Sequence, residues 1–229
     1  MGIKERQTRE RDAVRCSILN AARTLFLAEG YANVSMRKIA EQIEYSPGAI
    51  YSYFASKEDI FFALAEEGLQ FLRTHCSADR QGASPLEQVR AAIWRFYTFS
   101  KEQPEYFSLI FVDGAVPRIS RDWERFSFVR DLRQGVEHHI QQCIEAGLFP
   151  GSDSASSVFR ILSTAMYGVA VFRLSNRLAP GENADALARD LLGLTLAGLQ
   201  SGVELCFAAG CDTREPLPAS ASTHEQGDS

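Results

Sequence analysis

A chain of 229 residues with 45% hydrophobic and 10% aromatic content can bury a core in one or two domains, which excludes a wholly disordered polypeptide. With 23% charged residues and a net charge of -5, it is also not collagen-like, mucin-like or supercharged. The charge is unevenly spread: residues 1–57 hold nine Lys and Arg against six acids, +3, while the remainder stands at -8. An acidic body therefore carries a basic N-terminal module.

Five cysteines, Cys16, Cys76, Cys143, Cys206 and Cys211, are odd in number and scattered. They form neither a disulfide framework nor a zinc site and predict reduced thiols, with no metal and no cofactor. The charged start, 1–15, lacks the apolar run of a secretory signal. Residues 191–211 contain one charge, Glu204, over a length that could span a bilayer, but their Gly, Ser, Thr and Gln suit a helix buried against protein. A cytoplasmic protein with no membrane partner is expected.

Helical periodicity runs almost throughout. Apolar Val14, Ile18, Leu19, Ala22, Leu25 and Phe26 recur at three- and four-residue steps across 12–29, and Gly30 supplies the stop. Ser35 caps a short second helix, and Ser46-Pro47 starts a third that ends near Phe54. A fourth runs from Ser56-Lys57 to about residue 75. Ser84-Pro85 opens a fifth, interrupted by Pro104, and a short aromatic helix over 105–112 follows. A long helix is predicted over 119–146, ended by Gly147. Two more are predicted over 153–177 and 183–209, separated by Pro180-Gly181. Residues 211–229 are too polar to bury a core and predict a disordered tail.

Three short helices in the first 55 residues, the last two joined by a tight turn, meet the requirements of a helix-turn-helix DNA reader. In the third helix Pro47, Gly48, Ala49, Ser52 and Tyr53 can face outward while Ile50 and Phe54 face inward. Small residues let a helix sink into the major groove, and the Ala49 methyl can pack on thymine.

These residues resemble the TetR family of bacterial transcriptional regulators over 30–64. The motif stands here as Ser35-Met36-Arg37-Lys38-Ile39-Ala40 and Ser46-Pro47-Gly48-Ala49-Ile50-Tyr51-Ser52-Tyr53-Phe54-Ala55-Ser56-Lys57-Glu58. The resemblance implies that Ser35 presents its hydroxyl and free helix amides to a phosphate. Arg37, beside Lys38, would read guanine with its planar fork. Tyr51, Tyr53 and Lys57 would hold phosphates, and Ser52 would touch base or phosphate. The basic arm, 1–11, would track phosphates too, although Glu5 and Glu10 interrupt it. Glu44 stands where the family usually has glycine in a left-handed conformation, which would cost glutamate about 1 kcal/mol.

The resemblance further implies an all-α architecture: a helix-turn-helix DNA-binding domain over 1–57, a helical effector-binding and dimerisation domain over 58–210, and the tail. Partners would be double-stranded operator DNA, a second copy of the chain and an unidentified small-molecule effector, with a near-palindromic operator and a repressor's action. The last two long helices would pair with a second subunit through Ala165, Gly168, Leu192, Gly193, Leu196 and Leu199, or else pack internally. The aromatic middle offers Trp94, Tyr97, Phe107, Phe111, Trp123, Phe126 and Tyr167 to a bulky apolar effector, or as plain core.

Two rival classes remain. No nucleophile elbow, phosphate loop, dinucleotide fingerprint or zinc-protease motif is present, and the adjacent His138 and His139 point to different helix faces, so an enzyme is not expected. A helical ligand carrier that does not bind DNA would have no use for the Arg37, Tyr51, Tyr53 and Lys57 surface.

Overall fold

The computed structural model describes residues 2–76, 82–119, 126–152, 154–203 and 205, with the side chains of 3, 4 and 74–76 excepted. Among these residues every regular element is helical: α1 (Ile3–Glu29), α2 (Met36–Gln42), α3 (Pro47–Tyr51), α4 (Lys57–Cys76), α5 (Pro85–Glu102), α6 (Pro104–Phe107), α7 (Ser127–Glu145), α8 (Ala155–Leu174) and α9 (Ala184–Gln200). A 3-10 turn, Tyr31–Asn33, follows α1, and a π-helical turn, Ser108–Val112, continues α6. The all-α expectation holds.

Local chemistry sets the boundaries. Ser35, Ser46 and Ser84 each accept a hydrogen bond from the backbone amide three residues on, from Lys38, Ala49 and Glu87. At the start of α5, Glu87 also reaches back to the Ser84 amide and completes a capping box. Gly202 at φ +84 ends the last helix, so α9 stops at Gln200 and is shorter than the sequence predicts. At the other end α1 begins at Ile3: residues 3–11 of the arm continue the first helix, supported by exposed pairs such as Arg6–Glu10 at 2.8 Å. The tail over 211–229, Cys206 and Cys211 lie outside the described residues; Cys16 and Cys143 are free thiols.

Two clusters of buried side chains form the interior. The first joins α1–α4 to the middle of the chain, where Ile18, Phe26, Ile39, Ile50 and Phe61 pack in one group with Phe99, Phe107 and Phe126. The second fills the space among α5, α7, α8 and α9 with residues such as Ile93, Ile140, Leu162, Leu192 and Leu196. The core therefore does not divide at residue 57. Helix α8 is long and apolar enough to cross a membrane by composition, yet Val158, Leu162, Met166, Val169 and Ala170 on it are buried in protein.

Candidate DNA-binding surface

Ile39 and Ala40 of α2 and Ile50 of α3 are fully buried. They seat the two short helices on α1 and leave their opposite faces in solvent, where Ser35, Arg37, Pro47, Gly48, Tyr51 and Ser52 are exposed. Both helix N-termini open toward this face, so free amides stand beside the Ser35 and Ser46 hydroxyls. Such amides carry partial positive charge and suit phosphate oxygens.

The turn between the helices is a Schellman motif. The Glu44 amide bonds the Glu41 carbonyl at 3.2 Å and the Tyr45 amide the Ala40 carbonyl at 3.0 Å, a pattern that requires a left-handed residue after the cap. Glu44 fills that place at φ +58. The left-handed turn is thus kept despite glutamate.

Arg37 is largely exposed and its Nε donates to Glu41 Oε1 at 2.8 Å. This is an exposed pair worth about 0.3–0.5 kcal/mol, readily given up to a nucleic-acid acceptor. Lys38 pairs with Glu29 at the end of α1. Ala49 is half-buried on α3. Ser52 donates its hydroxyl to the Ala49 carbonyl at 2.7 Å, which leaves it only acceptor capacity. Tyr51 stands 55% exposed, whereas Tyr53 is half-buried against the first core cluster with the Arg11 guanidinium 5.9 Å from its ring centre.

Lys57, expected to hold a phosphate, is engaged within the fold. Its Nζ donates to the Tyr31 carbonyl at 2.8 Å and sits 4.2 Å from the Tyr31 ring centre. Burial pushes its pKa down, partly opposed by the Asp113 carboxylate. Lys57 is half-buried and acts as a structural tie. Sequence reasoning also passed over Tyr45, 43% exposed in the interhelical turn; a large aromatic side chain left in solvent beside Tyr51 was its only signal.

A second set of contacts joins this head to the body. Asp113 accepts from the Tyr31 amide at 3.0 Å, so both backbone polar groups of Tyr31 are held from later in the chain. Arg23 on α1 donates to Tyr106 Oη at 2.7 Å and pairs with Glu105 at 3.2 Å. The Tyr106 ring lies so close to α4 that a Cβ on Gly68 would meet it at 2.7 Å. Burial raises the Tyr106 pKa, the nearby Glu67 adding to the rise.

The expected effector pocket is different from its sequence image. Tyr97, Phe107 and Phe126 are fully buried, as the core alternative has them, and Trp123 lies outside the described residues. Phe111 and Tyr167 are half-buried and linked, Tyr167 Oη donating to the Phe111 carbonyl at 3.0 Å. Trp94 borders an open cleft of about 520 Å³, with Arg90, Arg189 and Leu192. The expected dimer residues divide too. Leu192, Leu196 and Leu199 are buried inside their own subunit and so present nothing to a partner. Ala165, Gly168 and Gly193 are half-exposed, and Leu194 is 72% exposed and Phe172 50%.

Residues 18–64 match the family described as bacterial regulatory proteins, tetR family. The HTH-type transcriptional regulator HbdR of Aromatoleum sp. (strain CIB) is 31% identical over 83 residues, 36% of this chain and 36% of that protein; the match thus spans about a third of that relative. The HTH-type transcriptional regulator Rv0767c of Mycobacterium tuberculosis (strain H37Rv) is 26% identical over 193 residues, 84% of each chain. The solved structure of AibR in complex with isovaleryl coenzyme A and operator DNA shares the fold at a TM-score of 0.59. It is 18% identical and the match covers 79% of this chain and 96% of that one.

Proposed function

We propose that this chain, whose residues 18–64 match the tetR family of bacterial regulatory proteins, is a ligand-responsive repressor that binds a near-palindromic operator as a homodimer. The observation that carries this reading is the exposed face formed by Ser35, Arg37, Gly48, Tyr51 and Ser52 over a fully buried Ile39 and Ile50. A binding surface of amides, hydroxyls, one guanidinium and two tyrosines supplies phosphate contacts and one strong base reader.

Dimerisation through the exposed side of α8 and α9, around Gly168, Gly193, Leu194 and Phe172, covers apolar surface that water otherwise meets. Two copies related by a two-fold axis then read half-sites about 34–36 Å apart, or a multiple of that. AibR, whose structure holds both an acyl coenzyme A and operator DNA, supports the pairing of effector and operator within this fold. Control runs through the Tyr106 and Asp113 contacts: an effector that moves 104–113 also moves α1 and α4, to which that segment is bonded.

An electrophoretic mobility shift with DNA from upstream of its own gene tests the reading. Retarded DNA, and loss of both affinity and preference at one base position in Arg37→Ala, is the expected result. No shift across low salt, with and without small organic acids, would favour a ligand carrier instead.

A further inference from the structure

The cleft beside Trp94 has a chemistry of its own. It lies between α5, which contributes Arg90 and Trp94, and α9, which contributes Arg189 and Leu192. Trp94 and Arg189 each stand one helical turn from the bond that ties these helices, in which buried Tyr97 donates to Asp185 Oδ1 at 2.8 Å. The other Asp185 oxygen accepts from Lys101 Nζ at 2.6 Å. Both Asp185 oxygens therefore accept from Tyr97 and Lys101, and Arg189 acts on this carboxylate through charge alone. Neither Arg90 nor Arg189 makes an ion pair or hydrogen bond among the described residues.

Arg90 and Arg189 are exposed guanidiniums that border one part-apolar opening, Arg189 also feeling the Asp185 charge one turn away, and two such forks can share a single anion. The about 520 Å³ of space is the size of a small-molecule site. Half-buried Trp94 offers a flat face and buried Leu192 an aliphatic floor. We propose that this cleft binds a small organic anion, an aromatic or branched aliphatic body bearing one carboxylate-like group, with the charge between Arg90 and Arg189 and the body against Trp94 and Leu192. The inference gives the chemical class of the effector in the function proposed above, and rests on that reading for this role alone.

The full-length protein carrying Trp123→Phe, so that Trp94 is the remaining tryptophan, is titrated with anilinonaphthalene sulfonate and with its uncharged counterpart phenylnaphthylamine. Saturable quenching of Trp94 by the sulfonate is expected, weakened about tenfold or more in Arg90→Gln/Arg189→Gln, with phenylnaphthylamine affinity unchanged. Equal sulfonate affinity with and without the two arginines overturns the proposal. So does sulfonate binding, followed by its own fluorescence, that leaves Trp94 emission unquenched; Trp94→Phe in the natural background checks the same point should Trp123→Phe fold poorly. A mobility shift by wild-type protein is scored in parallel. Retarded DNA without charge-selective sulfonate binding rejects the cleft and leaves the regulatory reading standing.

Discussion

Replacing Glu44 with glycine should stabilise the protein. Glu44 occupies the left-handed place of the turn at φ +58 and its side chain is exposed. A side chain there costs about 1–2 kcal/mol through the clash of Cβ with the backbone carbonyl. Glycine removes that clash but widens the unfolded ensemble, which returns about 0.4–1 kcal/mol. The difference, about 0.5–1 kcal/mol, corresponds to a rise in melting temperature of about 1–4 °C for a chain of this size. Thermal unfolding followed by circular dichroism reads it directly. Glu44→Ala is the control, because alanine keeps the Cβ and should show no comparable gain. A Glu44→Ala protein as stable as Glu44→Gly would place the cause in the lost charge and refute the backbone argument. Since the two turn hydrogen bonds use backbone groups only, operator affinity of Glu44→Gly should stay within about twofold of wild type.

Gly68→Ala brings a methyl within 2.7 Å of the Tyr106 ring and should cost about 1–3 kcal/mol in urea unfolding; a wild-type midpoint would contradict the close approach. Glu41→Gln releases Arg37 from its 2.8 Å partner and removes an acid from the DNA face. Operator affinity at low salt should rise about two- to fivefold in a mobility shift, and an unchanged affinity would show that Arg37 is not limited by this pair. Hydrogen bonds from Lys101, and then from Tyr97, hold the Asp185 carboxyl below its ordinary pKa. A depressed folded value means the stabilisation is fully present above the ordinary carboxylate pKa and is lost as pH falls from there through the lowered folded value. Asp185→Asn should therefore lower the denaturant midpoint at neutral pH and match wild type in strong acid; a deficit independent of pH would assign the loss to packing.

What the sequence disclosed and what it withheld follow from the range of the interactions. Caps such as Ser35, Ser46 and Ser84 bond an amide three residues away, so their signal is contained in a few letters. The place of Glu44 in the turn was legible once the helix-turn-helix pattern fixed it, but whether the turn is reshaped or keeps its left-handed form was settled only by the backbone, at φ +58. The continuation of α1 through 3–11 was not legible, since an exposed helix bound by charge pairs shows no apolar period. The bond from Lys57 to a carbonyl 26 positions earlier was not, since no spacing rule reveals it. For Leu192, Leu196 and Leu199 the period marked a buried stripe correctly. Whether that stripe meets its own subunit or another depends on the position of α5, α7 and α8 around it, and that is a property of the assembled fold. The Tyr106 approach to Gly68 joins positions 38 apart and leaves only an unexplained glycine in the middle of a helix.

Tyr31 is pinned at its amide by Asp113 and at its carbonyl by Lys57. Hybrid regulators made by splicing the first 57 residues onto a foreign sensor would keep the lysine and lose the aspartate, and with it one of the two bolts holding the 3-10 turn. A transplant that carries 104–113 along with the head preserves the joint, so the exchangeable part in this chain is two separated stretches of sequence and not one.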